Sequence, residues 1–315
     1  MARSAGVFMV KKAIVLGSSG FLGSHVADAL SASGVEVTLF DIKESPYKQP
    51  NQKQIIGDIL DIDSVEKAIS GHDYVYHMAG IADIDECYKR PVDTVKFNIL
   101  GTTHVLEACV KQKVERLIFA SSAYVYSQSG SFYRASKQAC ENLIEAYKEK
   151  YNLEYVILRY GSLYGPRSDR RNSLFRICED ALTNHEVDYK GTGEEKREFI
   201  HVYDASSMSV QILSEEFKNQ NIMLTGADRI NYRDLLLMVS EIMHDKVKIN
   251  FLEPTSGTHY KQSPYSFNPK FAKKLSVNPR VDLGQGLINL LSDIHSDLHP
   301  DIQQKFGHLI QRSEQ

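Results

Sequence analysis

The stretch Ala13-Ile14-Val15-Leu16-Gly17-Ser18-Ser19-Gly20-Phe21-Leu22-Gly23-Ser24-His25 decides the fold. A short apolar strand runs straight into three glycines spaced three residues apart, and then into a helix. A turn that tight needs glycine where a Cβ would clash, and a bare backbone lets a pyrophosphate approach. The new helix adds unpaired N–H groups and the positive end of its dipole. The stretch therefore reads as a dinucleotide-phosphate site with Gly17, Gly20, Phe21, Leu22 and Gly23 as its cradle. The next strand, Val35 to Phe40, ends in Asp41, about 20 residues on, where a carboxylate can accept both ribose hydroxyls of NAD. The same carboxylate repels the 2′-phosphate of NADP, and no arginine follows it, so the expected cofactor is NAD.

Working outward, strands alternate with helices. A strand near Gln54 to Ile56 precedes a helix from Ser64, a strand at Tyr74 to His77 and a long amphipathic segment from Pro91 to Gln112. A strand at Arg116 to Ala120, a helix from Arg134 to Tyr151 and a strand at Tyr155 to Arg159 follow. Such alternation predicts an α/β fold, a doubly wound parallel sheet of the Rossmann type. Beyond Pro166 the pattern loosens into mixed helices and short strands, including Tyr232 to Met243 and Asp282 to Ile294. The expected organisation is an NAD-binding domain over 9–165 and a smaller α/β substrate domain over 166–315, parts of which return to the first.

Composition excludes several classes. The chain has 315 residues, 42% of them hydrophobic, enough for one large or two closely joined domains. A formal charge of -3 with both signs interspersed gives no basic stripe for nucleic acid or an anionic membrane. Cys87, Cys109, Cys140 and Cys178 are widely spaced and form no CxxC pair, which fits reduced thiols in a cytoplasm. No apolar run reaches membrane-spanning length and no signal-peptide core opens the chain. Met9-Val10-Lys11-Lys12, directly before the strand, reads as the natural start, and Met1 to Phe8 as a leader. His295 and His299 stand four apart, but with no third ligand evident no metal site is expected. His77 and His201 read as core residues.

The second constellation is Tyr133-Arg-Ala-Ser-Lys137, preceded by Ser121-Ser122 at the end of a strand. Spacing of four puts the phenol and the ammonium on one helix face. Alcohol oxidation wants this arrangement. A lysine cation beside a cationic nicotinamide lowers the tyrosine's pKa, so the phenolate can take a hydroxyl proton as hydride leaves the carbon. Ser122 would hold the reacting oxygen.

These residues together resemble the extended short-chain dehydrogenase/reductase family, specifically its nucleotide-sugar epimerases and dehydratases. The resemblance runs from Lys11 to about Leu291 and rests on Gly17/Gly20/Gly23, Asp41, Gly57-Asp58-Ile59, His77-Met78-Ala79-Gly80, Asn98 before Gly101-Thr102, and Ser122/Tyr133/Lys137. The runs Arg159 to Arg167 and Arg197 to Asp204 complete it. The resemblance implies that Asp58 and Ile59 meet the adenine, that Ala79, Gly80 and Asn98 line the cofactor with Tyr133 and Lys137, and that Tyr160 stands near the nicotinamide. It also implies that Arg197 pairs with the diphosphate of a nucleoside-diphosphate sugar, with Ser162, Ser122 and Tyr133 in the substrate site.

Departures from the family pattern narrow the reaction. Dehydratases similar to this chain follow the strand-end hydroxyl with an Asp-Glu pair, whereas Ala123 and Tyr124 stand here and cannot eliminate water. The cysteine that 3,5-epimerases need is missing, the segment between Ser122 and Tyr133 is short, and Ser162 and Ala82 replace a common asparagine and lysine. What remains is chemistry at one carbinol carbon. The expected activity is NAD-dependent 4-epimerisation through a transient 4-keto sugar. The rivals are a 4-dehydrogenase or 4-keto reductase without epimerisation and, from another class, a non-catalytic NAD-binding scaffold. Pro91 to Gln112 and Arg134 to Tyr151 carry Val95, Ile99, Leu106, Leu143, Ile144 and Tyr147, more apolar residues than one buried face needs. Relatives pair these helices into a four-helix bundle, so a homodimer is expected.

Overall fold

The computed structural model describes residues 10–127, 129–253, 272–275 and 281–298. The leader expected at Met1 to Phe8 and His299 of the histidine pair lie outside the described residues. The elements begin β1 (Lys12–Leu16), α1 (Phe21–Ala32), β2 (Glu36–Asp41), β3 (Lys53–Ile56), α2 (Ile62–Ile69), β4 (Tyr74–His77), α3 (Ile84–Lys89) and α4 (Pro91–Thr94). After a π-turn at Val95–Leu100 come α5 (Gly101–Lys111), β5 (Arg116–Ser122), α6 (Ser131–Tyr151) and β6 (Tyr155–Tyr160). They continue as β7 (Ser162–Tyr164), α7 (Ser173–Asn184), β8 (Glu186–Lys190), β9 (Lys196–Arg197), β10 (Phe199–His201) and α8 (Val202–Gln211). The last are β11 (Gln220–Leu224), β12 (Ile230–Asn231), α9 (Tyr232–Ile242), β13 (Lys248–Leu252), β14 (Ala272–Leu275) and α10 (Leu283–Leu298).

Eight strands form one sheet in the order β14-β11-β6-β5-β4-β1-β2-β3. The ladders β1–β2, β2–β3, β1–β4 and β4–β5 are parallel, as the strand–helix alternation requires. From β1 the chain winds one way to β2 and β3, and then crosses to β4 on the other side. The crevice where an open α/β sheet binds ligands is therefore between β1 and β4. Register makes that edge level: Leu16 pairs with Phe40 and His77, and His77 with Phe119. Gly17, Asp41, Met78 and Ala120, each one residue further on, are therefore level at one edge, where β1 and β4 end while β2 continues through Asp41 and β5 to Ser122.

The chain divides into two compact units, Met1–Arg159 with Ser206–Met223 and Pro269–Lys273, and Tyr160–Ala205 with Leu224–Asn268 and Lys274–Gln315. In the first, β1 is apolar at every position from Ala13 to Leu16, all 0% exposed, because both faces of the sheet are covered. Ile14, Leu16, Phe40, Val75, Leu106, Leu117, Phe119 and Ile144 meet in one core with Cys109 and Cys140. Arg116 is also entirely buried. Its Nη1 donates to the carbonyls of Ile212 (3.2 Å), Leu213 (2.9 Å) and Ser214 (3.2 Å), which follow the end of α8, and its Nη2 to Glu215 at 2.8 Å. The second unit packs α7, α9 and α10 around Leu174, Cys178, Tyr164, Phe199, Tyr232, Leu235 and Leu290.

Several element edges differ from the sequence reading, α2 starting at Ile62 rather than Ser64 and β6 running to Tyr160 rather than Arg159 among them. β5 runs two residues past Ala120 to Ser122, which stands at the strand end as read, and α6 starts at Ser131, three residues before Arg134. The single amphipathic segment expected from Pro91 is interrupted by the π-turn.

Candidate active site

The glycine turn is built by close backbone approach. Gly17 has φ +85° and donates its N–H to the Phe40 carbonyl at 2.9 Å, and a Cβ on it would stand 2.6 Å from the Ala79 nitrogen. A Cβ on Gly23 would lie 2.2 Å from the Gly17 carbonyl oxygen, so only glycine lets α1 come this near the turn. Gly20 caps α1 with no side-chain hydrogen bond, and the first turn, which begins Phe21-Leu22-Gly23, carries no acidic residue. The N–H groups and dipole at this terminus are thus left for an anion, which is the fit a dinucleotide diphosphate needs. Asp41 ends β2 and its Oδ2 accepts the Ser19 N–H at 2.9 Å, so the acid stands against the same turn.

Asp58 and Ile59 follow β3. The Asp58 carboxylate accepts the Leu60 N–H at 2.9 Å, and Ile59 is buried in the first unit's core. Ala79 packs on that core and Gly80 is exposed. Asn98 sits in the π-turn, 3% exposed. Its Oδ1 accepts from Ile81 N at 2.7 Å, and its Nδ2 donates to Ile81 O and to Ser136 Oγ, both at 3.0 Å. An amide has two donor hydrogens, and both are used within the protein. Asn98 thus shapes the site by bracing the Gly80–Ile81 loop against α6.

At the end of β5, Ser122 is 7% exposed and its Oγ accepts the Tyr124 N–H at 3.2 Å. The Tyr124 ring meets Tyr133 edge-on, with centroids 6.2 Å apart at 77°. Lys137 is one helical turn beyond Tyr133. Its Nζ donates to the Ala120 carbonyl at 2.7 Å and lies 4.7 Å from the centre of the Phe119 ring and 5.9 Å from that of Tyr133. Burial pushes the Lys137 ammonium below its ordinary pKa. Ser122, Tyr133 and Lys137 are thereby assembled from one strand end and one helix face. The chemistry they offer is a held hydroxyl, a phenol that can move its proton and a cation beside it.

His77 ends β4 and is a core residue. Its Nε2 is 2.9 Å from Thr102 Oγ1, and burial, reinforced by the Lys137 charge, pushes its pKa down to about 3. No group of three or more potential metal ligands occurs among the described residues.

In the second unit, Tyr160 is 4% exposed, and Ser162 opens β7 with its N–H on the Glu198 carbonyl at 3.3 Å. Arg197, on β9, is 5% exposed. Its Nη1 donates to Lys196 O at 2.9 Å and its guanidinium lies 5.6 Å from the Tyr232 ring centre.

Sequence reasoning missed the carboxylate of Glu141. It continues the Tyr133–Lys137 spacing by another four residues along α6, and that repeat was the available signal.

A parallel sheet with its switch point beside a glycine turn, a strand-end acid and a Ser/Tyr/Lys cluster defines a dinucleotide-dependent α/β enzyme. The profile of the NAD dependent epimerase/dehydratase family matches residues 13–225, and the chain belongs to that family, one of the extended short-chain dehydrogenase/reductases. It is 26% identical over 295 residues to the putative UDP-glucose 4-epimerase of Methanocaldococcus jannaschii, covering 87% of this chain and 95% of that protein. It is likewise 26% identical to UDP-glucuronic acid decarboxylase 4 of Arabidopsis thaliana, over 94% of this chain and 71% of the relative. Among solved structures, the UDP-glucuronic acid 4-epimerase of Bacillus cereus in complex with UDP-glucuronic acid and NAD superposes with a TM-score of 0.79. It is 26% identical, over 90% of this chain and 99% of that one. The glycine turn, its uncapped helix and Asp41 fit NAD, the cofactor on which the family depends.

Proposed function

We propose that this chain is an NAD-dependent nucleoside-diphosphate-sugar 4-epimerase that works through a transient 4-keto sugar. The observation that carries the reading is Tyr133 and Lys137 on one face of α6, with the Lys137 ammonium on the Ala120 carbonyl two residues before Ser122, and buried Ala123 and half-buried Tyr124 following the serine instead of an acid pair. Bound NAD supplies the means of oxidising and then re-reducing the carbinol carbon. Ser122 holds the reacting oxygen by hydrogen bonding, Tyr133 takes and returns its proton, and Lys137 stabilises the phenolate by charge. Arg197 supplies the fork that suits a diphosphate, and Ser162 lies on the same unit.

The test is incubation with catalytic NAD and UDP-, GDP-, dTDP- and CDP-sugars, UDP-glucuronic acid included, followed by NMR at C4. Inversion at C4 without net NADH is the expected result. NADH equal to the NAD supplied, or a released 4-keto sugar, would establish oxidation without epimerisation, a reading to which the short segment between Ser122 and Tyr133 lends weight. Carbon dioxide from UDP-glucuronic acid would place the chain with its decarboxylase relatives.

The same reading includes a homodimer through α5 and α6. Leu106 and Ile144 are spent on the protomer's own core, both 0% exposed, which corrects their assignment to a spare stripe. Val92 (65% exposed) on α4, Val95 (51%) and Leu100 (45%) in the π-turn, and Tyr151 (42%) on α6 remain open. A monomer mass by light scattering at micromolar concentration would overturn the assembly. No helix among the described residues is long and apolar enough to cross a membrane, and the buried free thiols support a reducing cytoplasm.

A further inference from the structure

Tyr133, Lys137 and Glu141 follow one another at four-residue spacing on α6. Glu141 is 5% exposed and takes three hydrogen bonds from two residues. Arg159, at the end of β6 and also 5% exposed, grips it with both arms of the guanidinium: Nε to Oε1 at 3.0 Å and Nη2 to Oε2 at 2.6 Å. Ser121, the residue before Ser122, donates its hydroxyl to Oε1 at 2.5 Å. The Arg159 guanidinium also lies 4.5 Å from the ring centre of Tyr126. One carboxylate therefore ties together the end of β5, the face of α6 and the end of β6. A buried ion pair adds little to stability over an apolar pair of the same volume, so its position beside the reacting residues asks for another explanation.

Lys137 supplies that explanation. Removal from water disfavours its charge, and its hydrogen bond to Ala120 is to a neutral carbonyl. The titratable groups facing it are Tyr133, Cys140 and Glu141 on α6, Cys87 on α3 and His77 on β4. Burial keeps both thiols protonated and the imidazole neutral, which leaves Glu141 as the anion of the set. Glu141 in turn faces Ser121, Arg159, Lys137 and Glu145, with Tyr155 on β6 nearby. Burial, with the Glu145 charge, pushes its carboxyl up to about 7 against the opposing pull of the Ser121 hydroxyl and the Lys137 charge, and the Arg159 fork gives the ionised form its two partners.

We propose that Glu141 is a positioning residue for proton transfer: clamped by Arg159 and Ser121, its carboxylate keeps the buried Lys137 ammonium charged and aimed between β5 and Tyr133. The proposal rests on Tyr133 being the group that moves the proton.

The test is the titration of Tyr133 followed by NMR in protein labelled at the tyrosine ring carbon bearing oxygen, in the NAD complex, with the resonance assigned by its loss in Tyr133→Phe. Glu141→Gln removes the anion and leaves the Arg159 cation facing Lys137, so the phenol should titrate about one pH unit higher. The alkaline movement should recur in the pH profile of kcat, with KM changing little. Ser121→Ala keeps the ion pair and should move the titration the same way by less, which serves if Glu141→Gln does not fold. An unmoved phenol in folded, NAD-binding Glu141→Gln, or in Ser121→Ala should the first variant fail to fold, would overturn the proposal. The titration needs no substrate, so absence of turnover on every nucleotide-sugar would remove the epimerase reading and leave this result to stand or fall by itself.

Discussion

Asp41 Oδ2 accepts the backbone N–H of Ser19 at 2.9 Å, so the acid expected to hold a ribose also fixes the glycine turn expected to hold the phosphates. Asp41→Ala removes both functions at once. NAD affinity should fall at least about tenfold, one hydrogen bond to a charged acceptor being worth about 1.5 kcal/mol or more. The advantage of NAD over NADP should narrow because the repelling carboxylate is gone. Titration calorimetry with both nucleotides checks this, and a wild-type protein that prefers NADP would contradict the role given to Asp41.

Tyr133→Phe deletes a phenolic proton and keeps the ring that packs against Tyr124. Turnover should drop by about 100- to 10,000-fold, the usual contribution of general acid–base catalysis, while the dissociation constant for NAD stays near wild type. Wild-type kcat in this variant would end the mechanism.

His77 gives the fold a defined acid sensitivity. Its pKa is about 3 in the folded chain against 6.5 for the free side chain, so between these values the unfolded state binds the extra proton. Stability from this residue is complete above pH 6.5 and should be lost by about 1.4 kcal/mol per pH unit as pH falls through that window. Urea unfolding at pH 7 and pH 5.5 should show a steeper decline for the wild type than for His77→Gln. Glu141 contributes with the opposite sign, but it is common to both proteins and cancels in the comparison. Equal slopes would show that His77 is solvated in the folded state.

Arg116→Met strands three carbonyls that the guanidinium now satisfies, those of Ile212, Leu213 and Ser214. Unfolding free energy should fall by about 2–4 kcal/mol. Glu215 is 72% exposed on its side chain, so Glu215→Gln should leave stability nearly unchanged. Two variants of equal stability would refute the capping role.

How far the sequence could be read follows from where each constraint acts. The β1–α1 turn is legible because Gly17 and Gly23 are required by contacts within a dozen residues of chain or with the adjacent strand end. The π-turn at Val95–Leu100 leaves no such trace. One extra residue in a turn barely disturbs an apolar stripe, and its anchor is Asn98 reaching across to Ile81. The early start of α6 hides for a related reason, since Gly130 (φ +101°) just before the helix and Ser131 (φ +45°) at its first position turn the chain through left-handed geometry. Helix α3 was readable and was missed: Asp83 accepts the Glu86 N–H at 2.7 Å, the capping pattern its spacing announces. The Glu141–Arg159 pair joins elements eighteen residues apart, and no local rule relates them.

The four buried cysteines turn this fold into its own stopwatch. Cys109 and Cys140 lie in the core of the first unit and Cys178 in that of the second, and burial raises all three thiols above their ordinary pKa. A thiolate reagent can reach them only when the surrounding structure opens, so alkylation rates count openings. Mass spectrometry of the labelled peptides would time the two units separately, in one tube and without an introduced probe, and saturating NAD should slow the clock of the unit that holds it.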